Sequence, residues 1–293
     1  MKIAIFCAFD TPETIEYALA TVSYLEKKGH QLDLDNRLIE YISRPIDHTQ
    51  FEASGTINSN IDFLFSIGGD GTLLRSIPFV KDSKIPILGI NTGRLGFLTS
   101  LQKETLNEAL DEFFDEKFKL VERSLLSVAL SGTDHAFSNS FSFALNEISI
   151  NRMNTTSMLS IQTEINQEYL TTYWADGLII ATSTGSTGYS LSSNGPILTP
   201  ETKGIILNPI APHNLNIRPL VVPDEVAINI SVDGRGDGYL MSLDSRLFSV
   251  ENGSSITIKK AAFPVFTVEL NGDSYFKTLR NKLFWGQDTR NRQ

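Results

Sequence analysis

The chain has 293 residues, of which 41% are hydrophobic and 20% charged, a composition typical of a globular protein of about two domains. Its net charge of −9 argues against binding to nucleic acid or to an anionic membrane through a basic surface. The single cysteine, Cys7, excludes an intramolecular disulfide, and neither a signal-peptide pattern nor an apolar run of membrane-spanning length is present. We therefore expect a cytoplasmic protein without a membrane or nucleic-acid partner.

The first part of the chain alternates short buried strands with helix-like segments, which is typical of a parallel α/β sheet. Thr11 is suited to cap the first helix, Pro12 to occupy its first position, and Gly29 to end it. The predicted strands span residues 2–9, 61–67 and 85–90, and the predicted helices span residues 12–28, 72–80 and 103–114.

From about residue 123 the pattern changes to short apolar or alternating runs separated by turn pairs such as Asn252-Gly253, which indicates an all-β domain. A strand at 177–181 is followed by a short helix at 186–193. The tail, 275–285, has helical spacing and ends at Gly286. We predict a Rossmann-like parallel α/β domain, residues 1–122 completed by 266–293, and a β-sandwich-like domain, residues 123–265, with the last helix packed back on the first domain.

A glycine-rich turn, Gly68-Gly69-Asp70-Gly71-Thr72, stands where a buried strand meets a helix start. Glycines let the backbone approach a ligand closely, and the free N–H groups of a helix N-terminus favour phosphate. Asp70 has two interpretations: it caps the following helix, or it is a general base that takes a proton from a hydroxyl attacking a phosphoryl group. The P-loop motif and the H-R-D catalytic loop are missing, which excludes P-loop and protein-kinase-type enzymes. No G-x-G-x-x-G follows the first strand, which argues against a Rossmann dehydrogenase.

The sequence GGDGT resembles a signature shared by NAD kinases, by diacylglycerol and sphingosine kinases and, more loosely, by 6-phosphofructokinases. Four further segments, at residues 89–100, 145–150, 176–200 and 208–223, are similar in order and spacing to the bacterial NAD kinase family. The resemblance covers roughly residues 61–285. It implies transfer of the γ-phosphate of ATP to the 2′-hydroxyl of the adenosine ribose of NAD, which yields NADP.

The resemblance also implies the roles of individual residues. Asp70 is the implied base, and Mg²⁺ is implied to be held by the ATP phosphates rather than by a protein ligand set. The family also implies a homotetramer or homodimer in which a neighbouring subunit completes the site. The residues assigned to the ATP phosphates are Gly68, Gly69, Gly71, Thr72 and Arg75. Those assigned to NAD are Asp70, Gly71, Asn146, Glu147, Trp174, Asp176, Thr187, Gly188, Tyr189, Ser190, Leu191, Ser192 and Arg246.

Local chemistry agrees with several of these assignments. Asn146 offers a donor and an acceptor to an adenine edge, and Glu147 can accept from a ribose hydroxyl. Strand alternation predicts that these two side chains point to opposite faces unless a bulge intervenes. The hydroxyl-rich run at 182–190 can hydrogen-bond a dinucleotide, and Tyr189 can stack on a base. The structural alternatives are a polar strand end and a Ser/Thr-rich loop.

This chain departs from the family at three positions. Trp174 replaces a basic residue, so we expect stacking in place of a charge contact. Arg246 replaces a glutamine and is suited to pair with a phosphate or with a carboxylate of another subunit. Gly188 replaces an alanine and should leave room. We also interpret Arg94 as structural and expect His213 to be buried or to lie at an interface.

Two other functions fit the glycine turn. A lipid kinase would need an apolar acceptor pocket or a membrane-binding surface, which fits the polar segments less well. A non-catalytic NAD-sensing module would not need Asp70. Production of NADP from NAD and ATP distinguishes all three.

Overall fold

The computed structural model describes residues 1–8, 11–51, 57, 60–93, 96–99, 106–131, 141–153, 157–236, 238–272 and 274–285. The chain forms two compact units, one of Met1–Glu122 with Val265–Gln293 and the other of Arg123–Pro264. In the described part of the chain, no helix is long and apolar enough to cross a membrane.

The first unit is built on a seven-stranded sheet. Its first six strands in the chain are β1 (Lys2–Cys7), β2 (Gln31–Asp35), β3 (His48–Phe51), β4 (Phe63–Ile67), β5 (Ile87–Ile90) and β6 (Phe118–Arg123), and the last strand of the chain, β19 (Val265–Leu270), completes it. The strand order is β3-β2-β1-β4-β5-β19-β6, and the pairs from β3 to β19 are parallel. The parallel α/β prediction is therefore confirmed.

The helices of this unit are α1 (Pro12–Lys27), α2 (Asn36–Ile39), α3 (Asp70–Val80), α4 (Leu106–Phe114) and α6 (Tyr275–Leu283). Helix α1 begins as predicted, because Thr11 accepts a hydrogen bond from the backbone N–H of Thr14 at 3.2 Å. It ends before Gly29, which has a φ of 76°. The last helix, α6, belongs to this unit, in agreement with the prediction that it packs back on the first domain.

The predicted element ends were imprecise, and four strands of the first unit, β2, β3, β6 and β19, were not predicted. Strands β4 and β5 each begin two residues later than expected. The predicted ends at Phe9 and Gly286 and the helix start at 103–105 lie outside the described residues. Strand β2 was missed because it contains Asp33 and Asp35, yet both are buried, since Thr49 donates to Asp33 at 2.6 Å and Arg37 Nε to Asp35 at 2.9 Å.

The second unit consists of two six-stranded antiparallel sheets. One has the order β11-β10-β15-β18-β7-β8 and the other β14-β13-β12-β9-β16-β17. The strands are β7 (Leu126–Ser131), β8 (Phe143–Ala144), β9 (Glu147–Arg152), β10 (Leu159–Ile165), β11 (Glu168–Ala175), β12 (Gly177–Ala181), β13 (Gly204–Ile210), β14 (Leu220–Pro223), β15 (Ile228–Asp233), β16 (Gly238–Leu243), β17 (Arg246–Glu251) and β18 (Ser255–Lys260).

Apolar side chains from both sheets form one buried cluster, for example Ile161 and Ile258 from the first sheet and Ile150 and Met241 from the second. This confirms a sandwich-like domain. Instead of one helix at 186–193, the chain forms a 3₁₀ turn, Thr184–Thr187, and a short helix α5, Tyr189–Ser192.

Candidate active site

The glycine-rich turn connects β4 to α3. Gly68 has a φ of 147°, and a Cβ at this position would lie 2.2 Å from Thr72 Oγ1, so the turn requires glycine there. Gly69 is the N-cap residue, and no side chain caps the helix. A Cβ at Gly69 or Gly71 would meet nothing within 4 Å, so the backbone at the start of α3 is open to a ligand.

Asp70 is the first residue of α3, and its half-buried carboxylate is held by the loop at residues 96–99. Oδ2 accepts from the backbone N–H of Phe97 at 2.7 Å. Oδ1 accepts from the N–H groups of Leu98 and Thr99 at 3.0 and 3.2 Å, and from the Thr99 hydroxyl at 3.0 Å. The capping interpretation is therefore wrong, because the side chain is turned away from its own helix end.

The loop that holds Asp70 is supported by the last helix. The ring of Phe97 lies 6.3 Å from that of Tyr275 between centroids, and Lys282 Nζ lies 4.6 Å from the Phe97 ring centroid. Gly96 is required beside the carboxylate, since a Cβ there would lie 1.8 Å from Asp70 Oδ1. None of this support was predicted, because the contacts join segments far apart in the sequence.

In the second unit, Asn146 and Glu147 meet Gly188. A Cβ at Gly188 would lie 2.9 Å from Glu147 Oε2 and 3.2 Å from Asn146 Nδ2, so both side chains reach the same residue. The prediction that they point to opposite faces is wrong, because β9 begins only at Glu147 and Asn146 precedes it. Asn146 Oδ1 and Glu147 Oε2 are buried without a hydrogen-bond partner among the described residues, which leaves them for a ligand.

Glu147 is 9% exposed. Burial, together with the nearby negative charge of Asp244, raises the pKa of Glu147 to about 8, although a backbone hydrogen bond from Tyr189 opposes this rise. At neutral pH the side chain is therefore mainly a neutral acid, which can donate as well as accept.

The hydroxyl-rich segment is fixed against Asn146 from the other side. The Thr182 hydroxyl donates to the Leu145 carbonyl at 2.6 Å, and a Cβ at Gly185 would lie 2.0 Å from the Asn146 carbonyl oxygen. Buried Asn208 donates from Nδ2 to the carbonyl oxygens of Ser190 and Ser193 at 3.0 and 3.2 Å. Of the other predicted residues here, Thr187 and Leu191 are half-buried, and Tyr189 and Ser192 are exposed.

The other residues singled out from the sequence have different surroundings. Trp174 is 56% exposed on β11, which suits stacking. Asp176 forms an ion pair with Arg152 at 2.9 Å. Arg246 donates to the carbonyl oxygens of Phe141 and Phe143. His213 is exposed, so the expectation of burial is wrong.

Arg75 lies exposed on α3, Arg218 donates to the Leu215 carbonyl at 2.6 Å, and Arg94 lies outside the described residues.

The first unit carries an open glycine turn beside a held carboxylate, and the second unit carries two buried, unpaired polar oxygens, features that suit a nucleotide-dependent phosphotransferase. Two family models match the chain: the ATP-NAD kinase N-terminal domain over residues 3–118 and the ATP-NAD kinase C-terminal domain over residues 145–270. The chain belongs to the ATP-NAD kinase family. It therefore has NAD kinase activity.

Curated relatives agree along the whole chain. An NAD kinase from Christiangramia forsetii is 44% identical over 99% of this chain and 100% of its own length, and one from Flavobacterium psychrophilum is 45% identical with the same coverage. Among solved structures, an NAD kinase from Archaeoglobus fulgidus in complex with ATP has a TM-score of 0.76 and 26% identity over 97% of this chain and 99% of that one. Yeast NADH kinase complexed with NADH has a TM-score of 0.87 and 24% identity over 100% of this chain and 90% of that one. This similarity supports the fold.

Proposed function

We propose that this chain transfers the γ-phosphate of ATP to the 2′-hydroxyl of the adenosine ribose of NAD, with Asp70 as the general base. In this step the hydroxyl oxygen bonds to the γ-phosphorus, the bond to the β–γ bridging oxygen breaks, ADP leaves, and the hydroxyl proton passes to Asp70. The observation that carries the proposal is the carboxylate at the first residue of a helix whose start is open to phosphate.

The hydrogen bonds of Asp70 indicate which oxygen takes the proton. Oδ1 accepts from three donors, whereas Oδ2 accepts from one, the N–H of Phe97. Each carboxylate oxygen has about two lone-pair sites, so Oδ2 keeps capacity for a substrate hydroxyl. We assign the proton to Oδ2, while Oδ1 holds the group in position.

The acceptor NAD is proposed to bind to the second unit. Asn146 Oδ1 would accept from an adenine amino group, and the buried Glu147 carboxyl would bond to a ribose hydroxyl, which satisfies their unpaired oxygens. Exposed Tyr189 and Trp174 offer aromatic faces for stacking. The remaining proposed contacts are Asp70, Gly71, Asp176, Thr187, Gly188, Ser190, Leu191 and Ser192.

The phosphates of ATP are proposed to lie at the glycine turn. Gly69 and Gly71 would offer backbone N–H groups to the phosphates, and Arg75, one turn later on α3, would offer a positive charge. Gly68 and Thr72 would shape the turn around the phosphates, since their own N–H groups donate to the carbonyl oxygens of Ile90 and Gly69. Among the described residues no cluster of His, Cys, Asp or Glu is arranged to hold a metal ion. The proposed Mg²⁺ would be carried by the ATP phosphates and water. When bound, Mg²⁺ offsets the charge of the transferred phosphoryl group.

We further propose that the protein is a cytoplasmic homo-oligomer, either a dimer or a tetramer. The support is the exposure of large apolar side chains on the second unit, with Leu215 86% exposed and Trp174 56% exposed. Light scattering after size exclusion measures the subunit number, and a mass of one chain at micromolar concentration would contradict the proposal.

The reaction is tested by following NADP formation from NAD and ATP. Asp70→Asn should retain NAD binding but lose at least 100-fold in kcat, since the amide cannot take the proton. Asp82→Asn, which changes an exposed carboxylate of the same unit, is the matched control and should keep full activity. Unchanged turnover in Asp70→Asn would remove the base, and absence of NADP from the wild type would favour a lipid kinase or a sensor.

A further inference from the structure

The turn between β16 and β17 holds the segment that carries Asn146 and Glu147. Asp244 lies in this turn with a φ of 53°, an uncommon conformation for a residue other than glycine. Its carboxylate accepts from three consecutive backbone N–H groups, those of Leu145, Asn146 and Glu147, at 3.0, 2.8 and 3.3 Å. Its own N–H donates to the Glu147 carbonyl at 2.9 Å.

Arg246, two residues later, holds the same segment through its carbonyl groups. Its guanidinium donates to the carbonyl oxygens of Phe141 and Phe143 and lies 5.2 Å from the ring centroid of Phe141. One turn therefore binds the amides of the segment with a carboxylate and its carbonyls with a guanidinium. These bonds use two of the five N–H donors of Arg246, so we assign it a supporting role for this segment in addition to the proposed contact with NAD.

The opposite side of the segment is fixed by the hydroxyl-rich run. Thr182 donates from its hydroxyl to the Leu145 carbonyl and from its backbone N–H to the Asn146 carbonyl, at 2.6 and 2.9 Å. The backbone that presents Asn146 and Glu147 is thus hydrogen-bonded on both sides, and Asp244 is the charged acceptor of its amides.

We propose that Asp244 is a positioning residue for NAD recognition, which holds Asn146 and Glu147 in the conformation that binds the adenosine half of NAD without touching the substrate itself. The inference rests on the proposed binding of NAD by these two residues. A carboxylate is suited to this task because hydrogen bonds to a charged acceptor are stronger than those between neutral groups.

Asp244 also acts on the charge of Glu147. Burial raises the pKa of Asp244, but the N–H groups of Leu145 and Asn146, then the charge of Arg246, then the N–H of Glu147 oppose that rise. Among the described residues Glu147 has one backbone donor, Tyr189 of α5, so of the two carboxyl groups we place the negative charge on Asp244 and the proton on Glu147. Removing the Asp244 charge should therefore move the titration of Glu147 to lower pH.

The test is Asp244→Asn in the full-length protein. Its Kd for NAD, measured by titration calorimetry without ATP, should rise about tenfold, because an amide offers one acceptor oxygen without charge to three N–H groups. The KM for ATP should stay within about twofold of the wild type. The Glu147 titration, followed by ¹³C NMR of labelled glutamate with Glu147→Gln for assignment, should move to lower pH, an effect that a purely structural role would not produce.

Two variants complete the design. Asp233→Asn removes an exposed carboxylate from another strand of the same unit and should change neither measurement. Asp244→Glu keeps the charge but displaces the carboxylate, so it should weaken NAD binding while leaving the Glu147 titration close to that of the wild type. If Asp244→Asn does not fold, Asp244→Glu decides: a Kd raised about threefold or more supports the proposal, and an unchanged Kd overturns it.

Wild-type NAD affinity in Asp244→Asn with an unmoved Glu147 titration would overturn the inference alone, since the wild type would still form NADP. If the wild type neither bound NAD nor formed NADP, the proposed function would fail instead. In that case the Glu147 titration still tests the inference, because it does not depend on activity. If Asp244→Asn left this titration at the wild-type pH, the inference would be overturned as well.

Discussion

The hydroxyl of Thr99 donates a hydrogen bond to Oδ1 of Asp70 at 3.0 Å, and the backbone N–H of Thr99 donates to the same oxygen at 3.2 Å. Thr99 is 1% exposed, so its side chain is available to Asp70 and sheltered from water. The proposed base is therefore held by a residue 29 positions further along the chain.

Thr99→Val should lower kcat. The substitution keeps the shape and the backbone donor but removes a hydrogen bond to a charged group, which is worth about 1.5–3 kcal/mol. We expect kcat to fall about tenfold, since Oδ1 loses one of the donors that orient the carboxylate. Steady-state NADP formation gives kcat, and Thr99→Ser, which keeps the hydroxyl, should stay near the wild type. Equal kcat for the valine and serine variants would contradict the assigned orientation.

Glu147→Gln should change how stability depends on pH. Burial holds the pKa of folded Glu147 at about 8 against an ordinary value of 4.5, so between these values the folded chain keeps a proton that the unfolded chain has lost. The unfolded state then binds fewer protons, and this group makes the free energy of unfolding fall as pH rises from about 4.5 to about 8.

Glutamine does not titrate, so the free energy of unfolding of Glu147→Gln lacks this fall with rising pH. Relative to the wild type its free energy of unfolding should increase through this pH range, by a few kcal/mol at pH 8 as an order of magnitude. Urea unfolding at several pH values measures the difference. Parallel curves for the two proteins would show that the pKa of Glu147 is not raised.

Gly188→Ala should weaken NAD binding. A Cβ added at this position would lie 2.9 Å from Glu147 Oε2. The room left by glycine is thus occupied by the Glu147 carboxyl, which must move to admit a methyl group. We expect KM for NAD to rise about threefold to tenfold, whereas Gly272→Ala, where a Cβ meets nothing within 4 Å, should match the wild type. An unchanged KM would mean that the Glu147 carboxyl moves aside without affecting the site.

Asn208→Asp should disturb helix α5. Asn208 Nδ2 donates to the carbonyl oxygens of Ser190 and Ser193, and a carboxylate would instead place a negative charge against two acceptors in a buried position. We expect a loss of about 2 kcal/mol or more in stability and a higher KM for NAD. Thermal unfolding and NADP kinetics measure both, with exposed Asn216→Asp as the control. Wild-type values for both quantities would remove Asn208 from the support of this helix.

Some features were predictable because they depend on neighbours in the sequence. The start of α1 at Thr11 and Pro12, its end before Gly29 and the turn after β4 follow from capping and glycine conformations within a few residues. The all-β character of the second unit follows from short apolar or alternating runs and turn pairs. Strand β2 was not predicted because Asp33 and Asp35 interrupt its apolar pattern. Their burial is explained by hydrogen bonds from Thr49 and Arg37, which the pattern does not show.

The sequence by itself determined the two-part architecture, the glycine turn and the family, since each depends on residue type and local spacing. Only the tertiary structure decided that Asp70 is held by residues 97–99, that Glu147 and Asn146 meet at Gly188, and that Arg246 supports a backbone segment. The physical reason is the range of the interactions. Caps and strand alternation act within a few residues, whereas Asp244 reaches the amide of Leu145 across 99 positions, a contact that exists only once the sheet has assembled.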